Sequence, residues 1–465
     1  MSEIAFMSVP ELAAAIRAKE ISAVDVVEAN SRQIDKYNGD HNIFTLPLVD
    51  EAMAKAKRLD QDAAHGVFHG PLHGVTLAVK DAIDVAGYRN TYGTSSRLKS
   101  APAVKNADVV QSLVNAGANI IGLANLHELC YGGTSNNPWF GPVRNMWDPD
   151  RMPGGSSGGP AVAVSAGCSA IALGTDTGGS VRIPASVTGT SALKVTIDKF
   201  STTGVMPLTW TLDTVGPMAR RVEDLFEAYA ALSGESSRRP SDSPRFASVN
   251  QIVVGIDRDY YLEQGRMEPG IYDGFMKAME QLSSLGVKIV DVSIPLLRNA
   301  SAAQYAIVLG EASAAFSGTL RDERPKYAPA TQGYLALGDT LLAQDYIAAL
   351  RFRQELWSQM HDVFEKVDFL IAPGTPHAAS LIEQEEFVWP DGSTESLLDA
   401  CWRFTFPSNL VGIPTTCQPC GITPEGLPVG FQFIGRPNSE WPLLSVAAMV
   451  ERELGWNFRA PMTVA

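Results

Sequence analysis

Two serines 24 residues apart, Ser156 and Ser180, lie in the chain's densest chemical signal, MPGGSSGGPAVAVSAGCSAIALGTDTGGSVRIPAS at 152–186. Each is flanked by glycines, which allow backbone shapes closed to other residues. From Thr177 to Ser180 several N–H groups can converge ahead of an expected helix, the construction that stabilises a developing oxyanion. One such donor is typically worth about 10²–10³ in turnover. A serine attacks a carbonyl only when a base takes its proton, and the usual base is histidine. None of the seven histidines, His41, His65, His69, His73, His127, His361 and His377, falls in a recognisable triad motif. Lysine can serve where burial disfavours its charged form. Lys80, closing the apolar run Val75 to Val79, is the candidate.

The elements that must position these groups follow from periodicity. Three- and four-residue spacing from Val9 to Tyr37 predicts two amphipathic helices, opened by Ser8 and Ser22 as N-caps, and a third spans Glu51 to Gln61. PLHGVTLAVKDAIDVAG reads as strand, turn and strand, with Lys80 where the first strand ends. A helix at Asp108 to Gly117 leads into a strand at Asn119 to Leu123, and helix and strand continue to alternate, which is α/β grammar. Pro138 to Pro153 is a long loop, and the polar stretch Ser233 to Ser248 is a surface excursion. Beyond it come a strand at Val253 to Ile256 and helices at Tyr272 to Leu285, Ala302 to Phe316 and Leu341 to Phe364. A strand at Phe369 to Ala372 and strands near Cys417 and Phe431 complete the series.

Seven ordered blocks carry a resemblance to a known family over nearly the whole chain. They are GVTLAVKD, AGANIIGLAN, GGSSGG, GTDTGGSVRIPA, LDTVGPMARRVEDL, FTFPSNLVGIPTTCQPCG and GLPVGFQFIGRP. Together they resemble the amidase-signature hydrolases. The resemblance implies a Ser-cisSer-Lys triad: Lys80 as buried base, Ser156 as proton relay on a cis peptide bond, and Ser180 as nucleophile. It also implies an oxyanion hole of Thr177, Gly178, Gly179 and Ser180, a loop supported by Asp176 and Arg182, and a substrate pocket reached by Cys130 and Tyr131. The implied fold is a single large α/β domain with a central mixed sheet covered by helices. Its parts would be a helical N-terminal region (1–65), a core with the catalytic blocks (66–232), a variable pocket-forming region (about 250–382) and a C-terminal return to the core (383–465). One departure is local: ALKVT at Ala192 to Thr196 replaces the family's GLKPT, and Asp198 and Lys199 stand where a glycine-arginine pair is common.

Composition narrows the partners. The 465 residues are 45% hydrophobic and 19% charged, ordinary for a soluble enzyme with a large core. With 37 basic against 51 acidic residues the net charge is −14, which disfavours nucleic acid and anionic membranes. The five cysteines, Cys130, Cys168, Cys401, Cys417 and Cys420, make no disulfide framework, and the N-terminal sequence lacks a basic leader and apolar core. A cytoplasmic protein is therefore expected. No membrane span, metal or cofactor is expected, and the chain is taken as a monomer or homodimer.

Other readings are weaker. Gly154 to Gly158 fits the nucleophile elbow G-x-S-x-G, but that motif must follow a strand, and Trp147 to Pro153 holds two prolines and two aspartates. Cys417 and Cys420 form a C-x-x-C pair with no second pair or nearby histidine, so packing is the better role. Cys130 as a thiol nucleophile lacks partners. The aromatic residues Trp139, Phe140, Trp210, Trp389 and Trp402 are candidates for either pocket or core. The expected function is hydrolysis of a linear carboxylic amide through an acyl-enzyme on Ser180, with aryl esters and carbamates (urethanase activity) as related substrates. The alternative is the glutamine-hydrolysing subunit of a tRNA-dependent amidotransferase. That branch carries glutamine after the arginine of the nucleophile block, where this chain has Ile183. A catalytically dead scaffold is a third reading, opposed by the complete triad.

Overall fold

Ser8 and Ser22 open the first two helices, Val9–Ala18 and Ala23–His41, and each closes a capping box, with Glu11 and Asp25 respectively. The structure is a computed structural model and describes residues 3–235, 248–263, 266–317 and 323–461. Most of the polar stretch expected as a surface excursion lies outside the described residues.

Eleven strands form one mixed sheet. In chain order they are β1 (Phe44–Pro47), β2 (Thr76–Lys80), β3 (Asn119–Ala124), β4 (Ile171–Asp176), β5 (Ser191–Lys194), β6 (Thr214–Ala219), β7 (Val253–Ile256), β8 (Lys288–Asp291), β9 (Phe369–Pro373), β10 (Thr415–Ile422) and β11 (Pro428–Ile434). Their spatial order is β1-β3-β2-β4-β6-β5-β10-β11-β9-β7-β8. The β3-β2-β4 and β9-β7-β8 groups run parallel, and the strands joining them pair antiparallel. Every residue of β2 and of β4 is buried, as expected for parallel strands covered on both faces. The two strands are neighbours, with Leu77 opposite Ile171 and Val79 opposite Leu173. This register brings their C-terminal ends, Lys80 and Thr175, to one edge of the core. The large α/β domain with its central mixed sheet is the expected fold.

Two local expectations need correction. The strand, turn and strand around Lys80 yields only its first strand. After Lys80 the chain turns, because Asp81 folds back to accept hydrogen bonds from Thr45 Oγ1 and the Thr91 N–H, and Ile83 keeps a single bridge to Val205. The helix expected from Leu341 starts at Ala343, and a separate helix, Pro329–Asp339, precedes it. The loop from Pro138 to Pro153 is irregular as expected, apart from a two-residue ribbon pairing Asn136–Asn137 with Gly141–Pro142 and a bridge from Arg151 to Leu381.

Candidate active site

Lys80 ends β2 with no solvent exposure, and its Nζ contacts three hydroxyls. These are Ser156 Oγ at 2.8 Å, Ser157 Oγ at 2.9 Å and Thr175 Oγ1 at 2.7 Å. Burial pushes the Lys80 amine down from its ordinary pKa; Cys130, Asp176 and Asp213 oppose that shift without cancelling it. Ser157 and Thr175 are partners that sequence reading did not name. Ser157 was in view within GGSSGG, but which side of that loop meets the lysine is set by tertiary packing.

The GGSSGG loop is held from several directions. Its Gly155–Ser156 peptide bond is cis. The Ser156 carbonyl accepts from the His127 N–H at 3.2 Å and from Ser135 Oγ at 3.3 Å. The Ser157 N–H donates to the Ser180 carbonyl at 3.1 Å, tying the two serine loops together. His127 is half-buried against this loop, and loss of hydration there lowers its imidazole to about 4. It is therefore neutral at ordinary pH.

Asp176 and Arg182 organise the loop that carries Ser180. Their side chains pair twice without solvent exposure, Arg182 Nε to Asp176 Oδ2 at 3.0 Å and Arg182 Nη2 to Asp176 Oδ1 at 3.1 Å. The guanidinium also reaches the Thr405 carbonyl, Ser408 Oγ and Gln432 Oε1, so the FTFPSN and GFQF blocks meet the nucleophile block here. Burial alone would raise the Asp176 carboxyl, but Arg182, with Lys194 and Asn409, outweighs it and holds the group down at about 2. The same carboxylate accepts from the Gly179 N–H at 2.8 Å and the Val181 N–H at 3.2 Å.

The residues expected to form the oxyanion hole are placed differently from one another. Thr177, Gly178 and Ser180 line the pocket, whereas the Gly179 N–H is engaged by Asp176. Gly179 has φ +125°, a left-handed conformation, and a Cβ placed there would come within 2.2 Å of Thr405 Oγ1, so its absent side chain is what lets the turn form.

A pocket lies over Ser180. Cys130 and Tyr131 line it, on a short turn in which Leu129 and Cys130 have positive φ. Leu208, Tyr305, Tyr334, Trp402 and Phe406 complete much of the wall. No charged side chain lines it among the described residues. Of the five aromatic residues singled out from sequence, only Trp402 reaches it; Trp389 is buried elsewhere, and Trp139 and Trp210 are partly exposed. Ile183 packs behind the wall, in one cluster with Trp402 and Phe406.

The remaining candidates find packing roles. Cys417 and Cys420 are buried and free, in different apolar clusters. The segment before GGSSGG is not a strand, as the nucleophile elbow requires. Among the described residues no group of three or more His, Cys, Asp or Glu side chains is placed to hold a metal, and no helix is long and apolar enough to cross a membrane.

Comparison with known proteins gives the family. The family model described as Amidase matches residues 25–444. An amidase of Pseudomonas putida is 35% identical over 471 residues, covering 99% of each chain. A glutamyl-tRNA(Gln) amidotransferase subunit of Chloroflexus aurantiacus is also 35% identical, over 496 residues and 100% of each chain. A solved amidase structure superposes with a TM-score of 0.90 at 32% identity, covering 97% of this chain and 100% of the other. The protein belongs to the amidase family, the amidase-signature hydrolases that its motifs resemble.

Proposed function

We propose that this enzyme hydrolyses neutral carboxylic amides carrying an apolar or aromatic group, through an acyl-enzyme on Ser180. The observation that carries the mechanism is the hydrogen-bond inventory around Lys80. A neutral amine has two N–H donors and one lone pair. The Ser157 hydroxyl donates to the Thr175 carbonyl at 3.2 Å, and the Thr175 hydroxyl donates to Cys130 Sγ at 3.7 Å. Both oxygens are therefore acceptors toward Lys80 and take its two N–H groups. That leaves the lone pair for the Ser156 hydroxyl proton, the polarity a general base requires.

Ser180 then gives its proton to Ser156 as Ser156 gives its own to Lys80, and Ser180 Oγ attacks the amide carbon. The oxyanion is met by N–H groups of the Thr177 to Ser180 turn. The proton returns through Ser156 to the leaving nitrogen as the C–N bond breaks, and water repeats the sequence to release the acid. Aryl esters and carbamates present the same carbonyl with a different leaving atom.

The uncharged pocket favours this reading over glutaminase action. Free glutamine brings an α-ammonium and an α-carboxylate, and burying either without a partner is costly. The test is labelling by a fluorophosphonate probe together with turnover of aryl amides, aryl esters, carbamates and glutamine. We expect labelling that is lost in Ser180→Ala, and aryl amides turned over faster than glutamine. Full labelling of Ser180→Ala would refute the nucleophile. Glutamine as the fastest substrate would favour the amidotransferase alternative.

A further inference from the structure

Thr177 is gripped from two sides by residues outside the nucleophile block. Its hydroxyl donates to Asp213 Oδ1 at 2.6 Å, and its carbonyl accepts from Gln304 Nε2 at 2.9 Å. Gln304 lies 127 residues further on, in the helix Ala300–Ala315, and is fully buried. Its other amide atom, Oε1, is buried without a hydrogen-bond partner. An orphaned buried acceptor is unfavourable, and an apolar side chain of the same length would fill the space without one. Packing therefore does not explain a glutamine here. The single bond it makes, to the Thr177 carbonyl, does.

That bond has a geometric consequence. A trans peptide unit is planar, so the Thr177 carbonyl and the Gly178 N–H point in opposite directions. Holding the carbonyl toward Gln304 turns the Gly178 N–H away from it. Gly178 lines the substrate pocket, and the next N–H, of Gly179, is engaged by Asp176. The Gly178 donor thus has no support from Asp176 and depends on the orientation of its own peptide plane.

We propose that Gln304 is a positioning residue that aims the Gly178 N–H at the oxyanion by anchoring the Thr177–Gly178 peptide. The inference rests on Ser180 being the nucleophile. Gln304 touches neither substrate nor nucleophile, so its effect must fall on the transition state and spare ground-state binding.

The experiment uses the full chain with Gln304→Met and Gln304→Glu, an aryl amide substrate, and a trifluoromethyl ketone with the same acyl group. The ketone adds Ser180 Oγ to its carbonyl carbon, and the former carbonyl oxygen becomes the oxyanion of the hemiketal. The product acid serves as the ground-state ligand. We expect Gln304→Met to lower kcat by about 10- to 100-fold, less than outright loss of an oxyanion donor, with KM and product-acid affinity within about 2-fold of wild type. Ketone affinity should fall by the same factor as kcat/KM. Gln304→Glu keeps the size and can donate to the Thr177 carbonyl only while its carboxyl is protonated, so its ketone affinity relative to wild type should fall as far once that carboxyl ionises, and it decides the matter if the methionine variant does not fold. Unchanged kcat and ketone affinity in a folded variant would overturn the proposal. So would an equal loss of ketone and product-acid affinity, which marks general damage to the pocket. A Ser180→Ala variant that kept full turnover would overturn the nucleophile assignment as well. An inert Ser180→Ala beside a fully active Gln304→Met would overturn this inference alone.

Discussion

Lys80 Nζ and Ser156 Oγ stand 2.8 Å apart, and neither residue is exposed to solvent. The amine meets three hydroxyls and the Cys130 side chain, so no carboxylate in direct contact stabilises its protonated form. Burial lowers the Lys80 pKa, and the base must be neutral to accept a proton. With Lys80 as the proposed base, activity is expected to be absent on the acid side, where Lys80 is charged, and to rise with pH as the amine loses its proton. Lys80→Arg stays charged at every accessible pH, so kcat/KM should fall by at least about 10²–10⁴ with no recovery on alkalinisation. A pH profile of both proteins checks this. An arginine variant that regained activity at high pH would exclude Lys80 as the base.

The buried pair of Asp176 and Arg182 supports both the fold and the site. Removing one partner of such a pair leaves an uncompensated buried charge, at a cost of about 3–5 kcal/mol. Arg182→Met should lose about that much in chemical denaturation, and Asp176→Asn in the same chain should recover part of it. The pair also makes stability depend on pH. Asp176 has a folded pKa of about 2, below its ordinary 3.8. Its contribution is therefore present above about pH 4 and lost as the pH falls through about 2. An acid-unfolding midpoint that does not move in Asp176→Asn would count against this account.

How far sequence could reach depended on how local each constraint was. The strand from Val253 to Ile256 was legible residue by residue, as was the end of β2 at Lys80, because short β-prone runs between turn residues carry their own signal. The helix Pro329–Asp339 was not. It contains two glycines, and only Thr331 and Leu335 are buried, so its periodicity is faint and docking onto its neighbours stabilises it. The false strand after Lys80 arose because apolar alternation continues through Ile83 and Val85, whereas the turn is set by the Asp81 side chain bonding to Thr45 and Thr91. In the site, the serines and lysine stood out through their glycine-rich and apolar surroundings. Gln304, Asp213 and Glu128 did not, because their partners are distant in sequence and nothing local marks a buried polar residue.

Glu128 shows how such a residue can hold a pocket wall. It is fully buried, and its carboxylate accepts from Trp139 Nε1 at 2.5 Å, the Ala328 N–H at 2.9 Å and Thr331 Oγ1 at 2.7 Å. The last two donors lie at the start of the helix Pro329–Asp339, which carries Tyr334 into the pocket and against Tyr131, with ring centroids 5.1 Å apart. Glu128→Ala should release this helix. KM for an aryl amide is expected to rise by about 10-fold with kcat changed far less, since the lost contacts serve ground and transition states alike. Hydrogen exchange should quicken over residues 328–339. Exchange at the wild-type rate there, with KM unchanged, would mean that the wall is held by other contacts.

The second grip on Thr177 supplies a test in which a conservative substitution restores function. Asp213 accepts from the Thr177 hydroxyl through one oxygen and from the Leu208 and Thr209 N–H groups through the other, at 2.9 Å each. One buried carboxylate thus joins the Thr177 turn to the loop bearing Leu208, which lines the pocket. Thr177→Ser keeps the hydroxyl and should stay within a few-fold of wild type. Thr177→Val keeps the shape but removes a donor to a buried charge, a loss of about 1–3 kcal/mol in stability, with kcat/KM falling alongside. Asp213→Asn removes the charge from the other end. If the bond is the shared cause, the double variant Thr177→Val, Asp213→Asn should lose less than the sum of the two single losses, by about 0.5–3 kcal/mol. Denaturation and kcat/KM measured on all four proteins complete the cycle. Strict additivity, or a serine variant as impaired as the valine one, would show that Thr177 is held by its backbone and not by its hydroxyl.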